Sequence, residues 1–291
     1  MTVGFVGFGE AASSIAKGLH EEGVETMFCY DVMQNDVRFS DKITGACHDS
    51  GAVLQETAAD VCRKADIVIA AVPSGYAQSA AAEALPGIGT GTLYVDVTTA
   101  SPAEKREISR MIEEKGGKFT DAAMLGTLLK DRHQVPMLLC GSGAEEFKEK
   151  MEPYHMNLTL VDGAPGVATS IKFIRSITAK GLGCLLFESL QTAQRFGVEE
   201  MIVDSFLDSF GPSFEKIING YLSGAIIHGE RREHEMKNVV DFLKEENLPY
   251  TMAEATRQKL QWIVDKDIKG NFDGEVGRSW REVLAGWKLV Y

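Results

Sequence analysis

Cysteine is scarce in this chain. The five present, Cys29, Cys47, Cys62, Cys140 and Cys184, are odd in number and widely spaced, with no C-x-x-C pair. That spacing argues against a disulfide framework or a cysteine-built zinc site and predicts buried, reduced thiols in a cytoplasmic protein. Long apolar runs are missing too: none approaches the roughly 18–20 residues that a membrane span needs, so an integral membrane protein is not expected. The opening Met1-Thr2-Val3-Gly4-Phe5 has no basic stretch, so no secretory signal is expected either. Basic residues are outnumbered, 30 Lys and Arg against 42 Asp and Glu, for a net charge of −12. An acidic surface repels phosphate backbones, which excludes a general nucleic-acid binder but leaves room for a local site that takes one small anion. None of the six histidines stands at ligand spacing from a Cys, Asp or Glu, so no metal site is expected.

What is present is an ordinary globular composition, 44% hydrophobic and 25% charged, which rules out a disordered or fibrous chain. At 291 residues the prior is two domains. The first half alternates short apolar runs with amphipathic stretches. Strands are expected at Val3–Val6, Glu25–Tyr30, Gly45–Cys47, Ile67–Val72, Leu93–Val97, Lys118–Ala122, Pro136–Cys140 and Leu158–Val161, with a helix over Glu10–Glu22. Ser101-Pro102-Ala103-Glu104 reads as a helix start, with Ser as N-cap, Pro in the first turn and Glu closing a capping box. This rhythm is that of an α/β Rossmann-type doubly wound sheet. After Gly163-Ala164-Pro165-Gly166 the strand patterns stop. Val167–Phe196 contains no proline and reads as one long helix ended by Gly197. Further helices are expected at Glu199–Phe210, Ser213–Ile218, Arg231–Glu246, Ala253–Lys266 and Val276–Leu289. The expected domains are therefore 1–165, a dinucleotide-binding Rossmann domain, and 166–291, an all-helical domain.

The strongest local signal is Gly7-Phe8-Gly9-Glu10-Ala11-Ala12, a G-x-G-x-x-A between a strand and a helix. The first glycine permits a tight turn, the second lets backbone approach a pyrophosphate, and the small Ala12 lets the helix lie close to the strand. The free N–H groups and positive dipole end of that helix suit phosphate. Asp31 lies 22 residues after Gly9, at the end of the second strand, where a carboxylate takes the adenosine ribose hydroxyls. It also repels a 2′-phosphate, which favours NAD over NADP, although Arg38 is placed to meet such a phosphate. Val72-Pro73, after the fourth strand, is expected beside the nicotinamide ribose. A flavodoxin-like turn without nucleotide is the alternative reading of the same residues.

With these residues placed, the chain resembles the β-hydroxyacid dehydrogenase family, which includes 3-hydroxyisobutyrate dehydrogenase and 6-phosphogluconate dehydrogenase. Gly4 to Leu19 is similar to the opening G-F-I-G-x-G-x-M-G motif, with Ala11 and Ala12 replacing its last Met and Gly. Asp96-Val97-Thr98-Thr99-Ala100-Ser101-Pro102 resembles D-x-S-T-x-S-P. Gly166-x5-Lys172 resembles the G-x-G-x-x-x-K segment that carries the catalytic lysine. The resemblance implies a second domain like that of 6-phosphogluconate dehydrogenase and an NAD(P)-dependent oxidation of a CH–OH group; the long helix and the apolar helical half suggest a homodimer. The resemblance also implies Thr98 at the cofactor, Thr99 and Gly126 at the substrate, and Lys172 as general acid and base. Two positions depart from the pattern. Leu125 stands where the family keeps a serine for the substrate carboxylate, and Ser176 stands where an asparagine follows the lysine, with Arg175 beside it.

From the bare sequence Lys172 reads first as a solvated helix lysine, and the resemblance is what favours a catalytic one. As a base it needs desolvation or a neighbouring cation, which Arg175 is placed to supply while also suiting a substrate carboxylate. Ser176, one turn on, is expected to hydrogen-bond the lysine or the substrate. The leading expectation is an NAD-dependent dehydrogenase of a hydroxy acid or similar polar alcohol. An imine reductase-like enzyme and a non-catalytic dinucleotide sensor are the alternatives. The run Glu230–Lys237 is expected to be a solvated helix face, with Arg231, Arg232 or Lys237 reaching the cleft as the alternative, and His133 a surface loop residue, with a place lining the cleft as its alternative.

Overall fold

The computed structural model describes residues 1–126, 128–272 and 275–287. The chain forms two compact units, Met1–Lys172 and Phe173–Tyr291. Among the described residues, the first unit carries one sheet of eight strands: β1 (Val3–Val6), β2 (Met27–Tyr30), β3 (Ala52–Leu54), β4 (Ile67–Ala70), β5 (Leu93–Asp96), β6 (Lys118–Met124), β7 (Met137–Cys140) and β8 (Leu158–Leu160). Their order is β3-β2-β1-β4-β5-β6-β7-β8. The pairs from β3 to β6 are parallel, β7 runs antiparallel to β6, and β8 is parallel to β7. Helices α1 (Glu10–Glu21), α2 (Ser40–Ser50), α3 (Ala58–Lys64), α4 (Ala77–Ala84), α5 (Pro102–Glu113), α6 (Leu128–Asp131) and α7 (Ala144–Met151) belong to the same unit.

Alternation along the strands sends side chains to both faces, and helices cover both. Val3, Phe5, Ile67, Ile69, Leu93 and Val95 join one core with Ile15 and Leu19 of α1. Val6, Val68, Tyr94 and Phe119 join another with Ala81 of α4 and Ile108 of α5. This is the doubly wound arrangement the apolar runs predict, and it leaves the carboxyl ends of the central strands facing the loops that open α1 and α5.

The second unit is helical: α8 (Val167–Phe196, which begins in the first unit), α9 (Glu199–Phe210), α10 (Phe214–Ile227), α11 (Gly229–Glu245), α12 (Thr251–Asp265) and α13 (Trp280–Gly286). α8 has the predicted bounds, and its 30 residues extend about 45 Å at about 1.5 Å each. The aromatic centre is Phe187 against Trp287, with ring centroids 4.7 Å apart.

Several local expectations are corrected. Gly45–Cys47 is not a strand but the middle of α2. Ile43, Cys47 and Ser50 are its buried positions, a helical period that the short apolar stretch conceals. The third strand begins only after Gly51 ends that helix in the left-handed region, at φ +69°. α10 runs past Ile218 to Ile227, through glycines that lower its helical signal. α13 starts at Trp280 rather than Val276, because Ser279 and Glu282 form a capping box there; the expected end at Leu289 lies outside the described residues. His133 is buried, not a surface loop residue: its ring lies over Gly18 of α1, and burial pushes its pKa down. All five cysteines are free and buried, and the sulfurs of Cys29 and Cys47 are 3.2 Å apart.

One buried polar network ties the sheet to α8. The Lys105 ammonium of α5 donates to the Asp96 carbonyl at 2.8 Å and pairs with the Asp96 carboxylate at 3.1 Å and the Asp121 carboxylate at 3.4 Å. Asp96 and Asp121 are paired neighbours on β5 and β6. Asp121 also accepts from the backbone N–H of Gly166 (3.0 Å) and of Thr169 (3.1 Å) and from the Thr169 hydroxyl (2.8 Å), all at the start of α8. A carboxylate at that end of a helix satisfies orphan N–H groups and complements the helix dipole. None of the three charged side chains has more than 1% of its surface exposed, so each depends on the others. Replacing Lys105 with Met strands two buried carboxylates and is expected to cost about 3–5 kcal/mol in urea unfolding; a loss below about 1 kcal/mol would contradict the network's role.

Candidate cofactor site and its surroundings

The turn from β1 to α1 forms one wall of a cavity of about 620 Å³, inside the size range of small-molecule sites. Gly7, Phe8, Gly9, Glu10, Asp31, Val72 and Pro73 line it, so seven of the residues assigned to a cofactor from sequence come together there. Gly7 has φ +81°, and a Cβ on it would lie 2.6 Å from Val72 Cγ1 and 2.8 Å from the Ala71 carbonyl oxygen. Two strand ends thus pass too closely for any side chain. Gly9 is the opposite case. Its backbone is extended, φ −78° and ψ −161°, and a Cβ there would meet no atom within 4 Å. The empty space beside it is the cavity. Gly9 is also the N-cap of α1 and offers no side-chain bond to the first helical N–H groups, so these stay available to a phosphate. Ala12 is fully buried against the sheet, as close helix packing requires, and Ala11 is partly buried; neither lines the cavity.

Asp31 closes the far side of the turn. One carboxylate oxygen accepts from Phe8 N–H at 2.7 Å and the other from Met33 N–H at 2.9 Å. The glycine turn and the end of β2 are thereby held in register, and each oxygen keeps a lone pair for a ribose hydroxyl. Arg38 does not line this cavity: its guanidinium is engaged by Asp36 in a two-pronged pair, and its side chain is largely exposed. Sequence reasoning missed Lys42, Phe39 and Tyr76, which do line it. Lys42 and Phe39 come from the segment around α2, misread in part as a strand, so no helical face was available to assign. The cavity therefore has both a carboxylate, Asp31, and a cation, Lys42, in its lining.

The remaining assigned residues lie outside this cavity. Thr98 is buried in a turn in which its N–H donates to Asp96 at 2.9 Å and its hydroxyl accepts from Ala100 N–H at 3.3 Å. Ser101 caps α5 with the predicted capping box. Thr99 and Leu125 are partly buried, and Leu125 N–H donates to the Pro136 carbonyl at 2.8 Å. Gly126 is exposed, and a Cβ on it would lie 2.9 Å from both Pro136 and Val135, so packing within the loop accounts for the glycine. On α8, Lys172 is partly buried, Arg175 exposed and Ser176 buried. Ser176 accepts from Lys180 at 2.8 Å, a partner the sequence reading did not consider. No helix among the described residues is long and apolar enough to cross a membrane.

Comparison with known proteins agrees with this layout. Residues 2–158 match the model of the NAD binding domain of 6-phosphogluconate dehydrogenase. Residues 193–263 match a domain of unknown function, DUF1932. A conserved hypothetical protein from Sinorhizobium meliloti superposes with a TM-score of 0.79 at 30% identity, covering 99% of this chain and 95% of that one. A second conserved protein of unknown function, described as structurally similar to 3-hydroxyacid dehydrogenases, superposes with a TM-score of 0.76 at 32% identity, covering 91% and 97%. Human mitochondrial 3-hydroxyisobutyrate dehydrogenase is 31% identical over 157 residues, which is 52% of this chain but only 44% of that enzyme.

The two glycines separate folding from binding. Gly9→Val is expected to leave the unfolding midpoint nearly unchanged and to weaken dinucleotide affinity about 10-fold or more in calorimetric titration, because the new side chain enters only the cavity. Gly7→Ala is expected to lower stability as well, by about 1–3 kcal/mol. Equal dinucleotide affinity in Gly9→Val and the unaltered protein would remove the cavity from the cofactor site.

Proposed function

Because the chain belongs to the β-hydroxyacid dehydrogenase family, that of 3-hydroxyisobutyrate and 6-phosphogluconate dehydrogenases, we propose that it moves a hydride between a hydroxy acid, or a similar polar alcohol, and a nicotinamide dinucleotide. The observation that carries the cofactor half is the pairing of the open Gly9 cradle with Asp31, bonded to the same turn through Phe8 N–H. These residues fit a dinucleotide: N–H groups and the helix end for the pyrophosphate, a carboxylate for the ribose, and the Val72-Pro73 wall beyond. Asp31 favours NAD, and Lys42 is the residue that would accommodate a 2′-phosphate.

A bound nicotinamide dinucleotide supplies the hydride acceptor or donor; the chain's residues handle the proton. Lys172 is the acid and base of the proposal. It follows Thr169 by three residues on α8, and Thr169 is fixed by two bonds to Asp121, so the helical turn that carries the lysine starts from a rigid anchor. In alcohol oxidation Lys172 takes the hydroxyl proton, and in the reverse direction it returns it. Ser176, one turn later, orients the same hydroxyl or the lysine, and Arg175 is the cation for a substrate carboxylate. Thr98 and Thr99 shape the turn beside the nicotinamide, and Leu125 and Gly126 the substrate loop. Leu125 in place of a hydroxyl-bearing residue points to a substrate with an apolar surface at that position. A homodimer is part of the reading, supported by the exposed Phe196, Met201 and Phe210 of the helical unit.

The test is reduction of NAD, followed as NADH absorbance, across a panel of hydroxy acids, repeated with NADP. At least one hydroxy acid is expected to be oxidised with NAD preferred. Lys172→Ala is expected to lower turnover about 10²-fold or more while leaving dinucleotide affinity unchanged. Full turnover in Lys172→Ala would refute the lysine's role, and preference for NADP would refute that of Asp31.

A further inference from the structure

The five cysteines are not alike. All are buried and free, but among the described residues Cys29 and Cys47 alone bring two sulfurs within hydrogen-bond reach, at 3.2 Å. Burial pushes the thiol of Cys62 up to about 12 and those of Cys140 and Cys184 up to about 11, which keeps these three protonated and inert. Cys47 is the exception. A hydrogen bond from the Cys29 thiol holds its pKa below the ordinary cysteine value in spite of burial, and the same bond raises Cys29. Cys47 is also the outer of the two, with 8% of its surface exposed against none for Cys29. One thiol is thus set up as a nucleophile, with a second fixed beside it to resolve the product.

The two sulfurs sit on elements of unequal rigidity. Cys29 lies in β2, opposite Phe5 of β1 on one side and Leu54 of β3 on the other. α2 is held by a narrow buried stripe, Ile43, Cys47 and Ser50, and its N-cap Phe39 makes no side-chain cap bond. A disulfide needs its sulfurs about 2.05 Å apart, so this pair must close by roughly 1 Å. Any backbone shift that goes with the closure falls on α2, because β2 is bonded along both edges. Ile43, one turn before Cys47 on the same face of α2, lines the cavity beside Gly9, as do Lys42 and Ala46. A shift of α2 therefore displaces three residues of the cavity wall.

We propose that Cys29 and Cys47 form a reversible disulfide, made by a peroxide, that shifts the α2 wall of the cavity and weakens its hold on a dinucleotide. The Cys47 thiolate attacks one oxygen of hydrogen peroxide and the O–O bond breaks. The departing hydroxide takes up the proton that Cys47 gave up and leaves as water, and Cys47 carries a sulfenic acid. The Cys29 thiol then attacks that sulfur, the S–O bond breaks, and a second water leaves with the Cys29 proton. Two thiols and one peroxide give one disulfide and two waters, with two electrons passing from the sulfurs to the peroxide oxygens. A dithiol reductant reverses the bond by thiol–disulfide exchange. The coupling is reciprocal: a bound dinucleotide that holds α2 in place opposes the disulfide by the same factor. The bridge stands on the sulfur pair, and its effect on binding rests on the dinucleotide reading of the cavity.

The bridge is tested on the unaltered protein without cofactor. The protein is treated with a small excess of hydrogen peroxide, quenched with a maleimide at intervals, and digested for mass spectrometry. Cys29 and Cys47 are expected to disappear together about 10-fold faster than the other three thiols, to yield one cross-linked peptide, and to return with dithiothreitol. All five thiols retained or lost at one rate, or Cys47 oxidised to a sulfinic acid with no cross-link, overturns the bridge. Calorimetric titration of NAD then compares the reduced and oxidised protein. The oxidised form is expected to bind about 5-fold more weakly or worse and to recover with dithiothreitol. Cys47→Ala, treated with peroxide, is expected to keep the affinity of its untreated form; if it does not fold, Cys29→Ala serves as the same control. Equal affinity in the reduced and oxidised protein overturns the effect on binding. If neither form binds NAD, the cofactor reading and that effect fall together, and the cross-linked peptide still decides the bridge.

Discussion

Asp121 is the constraint on which the rest of the molecule depends. It is fully buried in the middle of β6, shares Lys105 with Asp96, and takes three hydrogen bonds from Gly166 and Thr169 at the start of α8. Two carboxylates around one ammonium leave a net negative charge inside the protein, and the positive end of a 30-residue helix is what faces it. The same bonds therefore neutralise a buried charge and fix where the long helix begins. Lys172 follows one turn later. Sheet, charge and proposed acid–base residue are linked through a single side chain that touches no substrate in the proposal.

The glycine-rich turn that follows β1 has a comparable logic. Gly7 exists because β1 and β4 bring Val72 and Ala71 too close for a side chain, whereas Gly9 exists because a side chain would fill empty space. The first is a folding requirement and the second a binding one. Asp31 joins them by accepting from the intervening Phe8. A turn that merely ended a strand would not need the second glycine or the carboxylate bonded to it.

Much of this was legible from sequence because it depends on local chemistry. The strands at Val3, Ile67 and Leu93 are continuous apolar runs, the Ser101–Glu104 capping box is a four-residue signal, and the proline-free stretch from Val167 has the bounds of α8. The doubly wound sheet and the switch to helices followed from these. What was missed depends on contacts between distant segments. α2 was misread because Ile43, Cys47 and Ser50 reveal a helix only through what they pack on, and with it went Lys42 and Phe39 at the cavity. His133 was taken for a loop residue because nothing in its neighbourhood announces Gly18 beneath it. Nothing local to Lys105 marks its role, since its two carboxylates are 9 and 16 positions away. The pairing of Lys180 with Ser176 follows from i, i+4 spacing, but its burial against α11 does not.

The account's central claim is that the cavity beside Gly9 receives a nicotinamide dinucleotide. The most direct measurement is a crystal structure grown with NAD. It is expected to show the pyrophosphate over the N–H groups that open α1 and the adenosine ribose hydroxyls on Asp31. A cavity left empty at saturating NAD, or a dinucleotide bound away from Gly7 and Gly9, would contradict it.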